Sequence, residues 1–214
     1  MDGSHVRERD FTSGRRMLIK ICGITNPADA EAAVAAGADL LGFVFRPGTP
    51  RALVPEDVGW VRDVQGAETV GVFLDAPLDE VIEVRQQLGL DWIQLHGDEP
   101  DALLDVLGRQ VIRRVRVGAA VDWARVAFLA ERSLPLFDPG EGDGVAWAWD
   151  VLAGGPGDLA FGLAGGLTPE NVAEAVRVTR PFLVDVSSGV EAAPGIKDRD
   201  KVRRFVDNSR NANR

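Results

Sequence analysis

The chain has 214 residues, 45% of them apolar and 27% charged, and 24 Lys and Arg against 33 Asp and Glu give a net charge of −9. That acidic balance argues against a nucleic-acid surface or a polybasic membrane patch. No run of about 18 apolar residues is present, since Asp39 interrupts the most hydrophobic stretch, Ala32 to Phe45. A single Cys forms no internal disulfide and suits a reducing compartment, so a cytoplasmic globular protein is expected. Residues 1–16 are polar with charges of both signs and no apolar core, which reads as a disordered extension and not a signal or anchor.

From there the chain alternates. Strands are expected at Leu18–Cys22, Leu40–Phe45, Val70–Phe73, Trp92–Leu95, Val111–Val117, Pro135–Asp138, Ala160–Leu163 and Phe182–Val186. Helical spacing lies between them, near 27–36, 55–64, 77–88, 99–107, 121–131, 148–152, 169–178 and 199–208. Asn26 before Pro27, Thr168 before Pro169, and Asp198 suit N-caps, where a side-chain oxygen satisfies an orphan N–H. Eight strand–helix pairs admit an open doubly wound sheet, two small α/β units or a closed (β/α)8 barrel.

Strand periodicity decides among them. Ile19 and Ile21 share one face of the first strand and Lys20 and Cys22 the other; Val184/Val186 against Asp185/Ser187 and Ile93/Leu95 against Gln94/His96 repeat the pattern. A doubly wound sheet buries both faces and calls for continuous apolar runs, whereas a barrel turns the polar face into its lumen. The expectation is an α/β protein, a single-domain (β/α)8 TIM barrel over residues 17–208, with 209–214 as a frayed tail.

Barrel active sites sit at the C-terminal ends of the strands. Cys22 ends the first strand two residues after Lys20, whose ammonium would favour a thiolate usable as a base or nucleophile. Asp138 ends the sixth strand on the face of Leu136, where apolar neighbours would disfavour its charged form and equip it as a general acid, although an Asp before Pro139 also suits a plain turn. Gly165 and Gly166 follow the seventh strand, and Ser187, Ser188 and Gly189 the eighth, the usual phosphate position of barrels. Arg51, after the second strand, is a fork for a carboxylate, with Arg46 competing for that role. Gln94 and His96 face inward, and Asp185 would pair with Lys20 across the neighbouring first and eighth strands. Two His and no spaced Cys/His/carboxylate cluster argue against a metal site.

The segments KICGIT (20–25), GFVFRPGTPR (42–51), QLHGDEP (94–100), LAGGLTPENV (163–172), VDVSSGVE (184–191) and PGIKD (194–198) resemble phosphoribosylanthranilate isomerase of tryptophan biosynthesis, in family order from Met17 to Asn208. The resemblance implies a single-domain barrel without metal or organic cofactor, acting on a small phosphosugar, as a monomer or a homodimer. It implies an Amadori rearrangement of N-(5-phosphoribosyl)anthranilate to 1-(2-carboxyphenylamino)-1-deoxyribulose 5-phosphate. Cys22 then falls on the general base, Asp138 on the general acid and Arg51 on the contact to the anthranilate carboxylate. Gly165, Gly166, Ser187 and Ser188 fall on the phosphate site. Two features depart from the family pattern. The segment Pro139 to Val145 is shorter than usual and carries Glu141 and Asp143, which should weaken binding of an anionic substrate, and Arg46 stands where an aromatic residue is common. A barrel lyase of the tryptophan synthase α type and a phosphosugar-binding paralogue without turnover are the alternatives.

Overall fold

The computed structural model describes residues 16–118, 120–140, 147–152 and 154–213. Eight parallel strands close into a barrel in sequential order: β1 Leu18–Cys22, β2 Leu40–Val44, β3 Glu68–Phe73, β4 Trp92–Leu95, β5 Val111–Val115, β6 Leu134–Phe137, β7 Gly162–Leu163 and β8 Leu183–Val186. Closure pairs β1 with β8 and sets Lys20 beside Asp185. Around the strands lie α1 Pro27–Ala36, α2 Leu78–Leu88, α3 Ala102–Leu107, α4 Trp123–Ala130, α5 Val172–Thr179 and α6 Arg199–Ala212. A small antiparallel hairpin, β9 Glu191–Ala193 with β10 Ile196–Lys197, follows β8. Among the described residues no helix is long and apolar enough to cross a membrane.

The side-chain period of two sorts the core into two bodies. Ile19, Ile21, Leu41, Phe43, Ile93, Leu95, Val184 and Val186 face outward and pack against the helices. Leu18, Leu40, Val70, Trp92, Ile112, Leu134 and Leu183, near the starts of their strands, form a separate cluster that plugs the lower lumen. A fully buried Leu, Ile or Val contributes about 1.5–3 kcal/mol, so this plug supports polar groups above it that burial alone would destabilise.

Caps mark several helix starts. Asn26 accepts from the Asp29 N–H with Pro27 behind it, and Asp198 accepts from the N–H groups of Asp200 and Lys201. Thr168 caps one turn early: its Oγ1 accepts from the Glu170 N–H and its carbonyl from Asn171 and Val172, while the regular α-helix begins only at Val172. The segment expected as a helix over 55–64 is two 3-10 turns, Pro55–Asp57 and Gly59–Asp63, because Gly59 interrupts it after one turn. The stretch over 148–152 is likewise a single 3-10 turn, Trp149–Leu152. The tail differs as well. Instead of fraying from residue 209, α6 runs to Ala212; Ser209 is buried, and the Arg210 guanidinium donates to the carbonyls of Met17 and Gly37 and to the Asp39 carboxylate. Apolar spacing fades after Val206, and contacts distant in sequence replace it.

Candidate active site

Four strands carry the same inward sequence from bottom to top: an apolar plug residue, a second inward residue, then a functional side chain just beyond or at the strand's end. On β1 it is Leu18, Lys20, Cys22; on β8 Leu183, Asp185, Ser187; on β4 Trp92, Gln94, His96; on β6 Leu134, Leu136, Asp138. Only β6 keeps an apolar middle member. The top of these columns and the loops above them enclose a cavity of about 250 Å³, lined by Cys22, Arg51, Gln94, His96, Asp138, Gly165, Gly166, Asp185, Ser187 and Ser188. The candidate residues singled out from the sequence are brought there except Gly189, just behind Ser188, and Lys20, which lies directly below.

Lys20 is completely buried and donates to Asp185 at 2.9 Å. Burial works to discharge its ammonium, but Asp185 and the neighbouring thiol outweigh that and hold its pKa above the ordinary value. Its second neighbour is Cys22. A Cβ on Gly42 would stand 2.7 Å from Cys22 Sγ and 3.0 Å from Lys20 Nζ, so the thiol and the ammonium both press on β2 where no side chain intervenes. Lys20 does not make the resting thiol acidic, contrary to the expectation from sequence. Burial pushes the Cys22 pKa up, and the cation offsets this only in part.

Across the cavity, Asp138 Oδ1 accepts from the Gly140 N–H at 2.8 Å while Oδ2 lies 3.9 Å from His96 Nε2. Burial raises the Asp138 pKa, countered in part by the Gly140 N–H and by Arg114. Gln94 Nε2 donates to His96 Nδ1 at 3.1 Å, which leaves the proton of a neutral ring on Nε2, facing Asp138. Burial first, then the charges of Arg114 and Lys20, lower the His96 pKa to about 4. Arg114 spends its guanidinium on the carbonyls of His96, Asp138 and Pro139, tying the loop after β4 to the loop after β6. Below it, the buried Arg113–Glu99 pair at 2.6 Å secures the same β4 loop: Arg113 also donates to the carbonyl of Gly97, and Glu99 accepts from the N–H groups of Asp75 and Gly97.

The third part of the rim is built of backbone. Gly165 and Gly166 have φ of +83° and +66°, a region that L side chains rarely adopt, which turns the chain sharply above β7. Asn171 Nδ2 donates to the Gly166 carbonyl at 2.9 Å and fixes that turn to the start of α5. The Ser188–Val190 3-10 turn packs beside it, with a Cβ on Gly189 blocked by the Leu167 carbonyl. The Ser187 hydroxyl, at the start of that turn, is buried without a hydrogen-bond partner. Arg51 reaches in from the loop after β2 with its Nε and Nη2 both given to Glu191 at 2.7 Å, so its fork is half engaged before any ligand arrives.

Sequence reasoning missed Arg114, Glu191 and Lys197. Arg114 was the most legible, since it shares the inward face of β5 with Ile112. Among the described residues no group of three or more His, Cys, Asp or Glu side chains is placed to hold a metal ion. Glu141 and Asp143, expected to weaken substrate binding, lie outside the described residues.

Comparison with known proteins agrees with this architecture. The family model for N-(5'-phosphoribosyl)anthranilate (PRA) isomerase matches residues 19–208. An N-(5'-phosphoribosyl)anthranilate isomerase from Geobacter sp. (strain M21) is 45% identical over 196 residues, covering 88% of this chain and 95% of the relative. The phosphoribosylanthranilate isomerase of Thermotoga maritima superposes with a TM-score of 0.80 at 36% identity over 92% of this chain and 100% of its own. A phosphoribosylanthranilate isomerase solved in complex with reduced 1-(o-carboxyphenylamino)-1-deoxyribulose 5-phosphate does so with a TM-score of 0.78 at 36% identity, again over 92% and 100%. This chain, closed barrel and cavity included, belongs to the N-(5'-phosphoribosyl)anthranilate isomerase family, enzymes of tryptophan biosynthesis.

Proposed function

We propose that the cavity performs an Amadori rearrangement of N-(5-phosphoribosyl)anthranilate with Cys22 as the base and Asp138 as the acid. The observation that carries the reading is the meeting of a buried thiol and a partly buried carboxyl, both of raised pKa, in one small cavity rimmed by the Gly165–Gly166 and Ser187–Ser188 loops. Asp138 Oδ2, free of the Gly140 bond, delivers its proton to the furanose ring oxygen. The bond from that oxygen to C1 breaks and the anthranilate nitrogen lone pair forms C1=N. Thiolate Cys22 then removes the proton on C2, and the electron pair moves through C1 to nitrogen to give an enolamine, which tautomerises to the 2-ketone. General acid and base groups each contribute typically about 10²–10⁴-fold.

Substrate anchoring uses two different parts of the cavity rim. The phosphate is held by the N–H groups of the two glycine- and serine-bearing loops, with the unpartnered Ser187 hydroxyl as a further donor. Arg51 meets the anthranilate carboxylate. Anchors at both ends hold C1 and C2 between thiol and carboxyl, a proximity effect that costs the reacting atoms little reorganisation.

The test is conversion of freshly prepared phosphoribosylanthranilate, followed by the change in anthranilate fluorescence. Turnover by the wild type with loss in both Cys22→Ala and Asp138→Asn supports the reading. Ligand-dependent stabilisation without product would indicate a binding protein instead.

A further inference from the structure

Glu191 takes no part in the chemistry above, yet its carboxylate accepts three hydrogen bonds from two cations beside the cavity. Its side chain is 6% exposed. Oε1 accepts from Arg51 Nε at 2.7 Å and from Lys197 Nζ at 2.9 Å, and Oε2 accepts from Arg51 Nη2 at 2.7 Å. Lys197 Nζ also donates to the Ser187 carbonyl at 3.3 Å, and the Glu191 carbonyl receives Lys201 Nζ of α6 at 2.8 Å. The hairpin that carries Glu191 is fastened beneath the loop after β1: Thr25 Oγ1 donates to the Gly195 carbonyl at 2.6 Å and the Lys197 N–H to Asp29 Oδ2 at 2.9 Å. One carboxylate thus joins a cation from the β2 loop to a cation bonded to the phosphate-side loop.

The geometry assigns Glu191 as a positioning residue for substrate binding, which holds Arg51 and Lys197 in place so that the carboxylate end and the phosphate end of the site are set relative to each other before substrate arrives. The bidentate pair fixes the plane of the Arg51 guanidinium and leaves Nη1 as the N–H-bearing nitrogen outside the pair. The Arg51 stem is fixed from the other side, since a Cβ on Gly23 would lie 2.6 Å from its Cδ and 2.9 Å from Ser187 Oγ. Arg51 and Ser187 therefore flank the residue that follows Cys22. The inference rests on the proposed function for the identity of the ligand.

Charge and geometry make opposite demands here. The substrate is anionic at both ends, so a carboxylate that acted only through its charge would weaken binding, and its removal would tighten it. A carboxylate that positions two cations does the reverse. The experiment compares wild type, Glu191→Gln and Glu191→Asp by titration with reduced 1-(o-carboxyphenylamino)-1-deoxyribulose 5-phosphate and with the same compound lacking its ring carboxylate. For Glu191→Gln the expected result is a loss of about tenfold in the preference for the carboxylated compound, with KM for phosphoribosylanthranilate raised about tenfold and kcat within about threefold of wild type. Glu191→Asp keeps the charge but withdraws it by one methylene, and it is expected to lose the preference too; it carries the test should the Gln variant fail to fold. An unchanged preference, equal weakening of both compounds, or tighter binding of either overturns the assignment. Failure of the wild type to convert phosphoribosylanthranilate would instead overturn the proposed function, and an intact wild-type preference for the carboxylated compound separates the two failures.

Discussion

The two walls that face each other across the cavity are built on different principles. Cys22 stands at the end of a strand in full parallel register, with an ion pair beneath it and the bare backbone of Gly42 beside it. Asp138 lies just past the end of β6, its N–H still bonded to Val115 and its carboxylate anchored by the turn at Gly140. The thiol is held by close packing and the carboxyl by hydrogen bonds from a loop. Under the proposed roles, a base that ionises where it is buried needs a rigid cation beside it, and an acid that is reprotonated each cycle needs a route to exchangeable protons. Lys20 is fully buried, whereas Asp138 and the neighbouring His96 have side chains 17% and 22% exposed.

The largest effects should come from deleting the groups themselves. Cys22→Ala and Asp138→Asn are each expected to lower kcat by about 10²–10⁴-fold with much smaller changes in KM, measured by the fluorescence assay. The two walls should also sign the pH profile. The productive form of the proposed mechanism pairs a thiolate with a protonated carboxyl, the reverse of the order of the two groups' ordinary pKa values, 9.0 and 3.8. Its population is therefore constant between the raised Asp138 value and the raised Cys22 value, and falls outside them. The acid limb of kcat/KM should lie above 3.8 and the alkaline limb above 9.0, the ordinary values of the two groups. An alkaline limb below the ordinary thiol value would contradict the buried environment of Cys22.

His96 sharpens the contrast from the carboxyl side. Its pKa falls from 6.5 to about 4 on folding, so the unfolded chain binds the proton first as pH drops. The contribution is present above 6.5 and is lost as pH falls through 4, amounting to roughly 3 kcal/mol. Denaturant unfolding of wild type and His96→Asn across that interval should show the wild type losing more stability by about this amount. On the thiol side, Gly42→Ala puts a methyl group into Sγ, Nζ and the Cys22 backbone at once. Overpacking of this kind costs about 1–3 kcal/mol, read as a lowered unfolding midpoint, and kcat should fall with it because the thiol is displaced.

What the sequence made legible follows the same division. Alternation along β1, β4 and β8 exposed the inward columns, and the strand ends located Cys22, His96 and Ser187, because a period of two is a local property. Asp138 was legible through Leu136 two residues earlier. The depth of burial was not, which is why Lys20 looked able to acidify Cys22 when burial in fact dominates. Nor were partners far away in the chain: Arg51 reads as a free fork until Glu191, separated from it by 140 positions, is seen to occupy it. The 55–64 segment misled for a different reason, since apolar spacing of three or four residues serves a pair of 3-10 turns as well as one α-helix.

The grip of Arg210 on the Met17 carbonyl joins groups 193 positions apart. Together with the β1–β8 ladder it makes the first strand and the last helix mutual supports. During synthesis the early strands therefore wait for their partners, and β1 keeps an open edge until the ribosome has released nearly everything downstream of it. An unpaired strand edge is a template for pairing with another chain, so quick completion of the barrel protects the nascent protein.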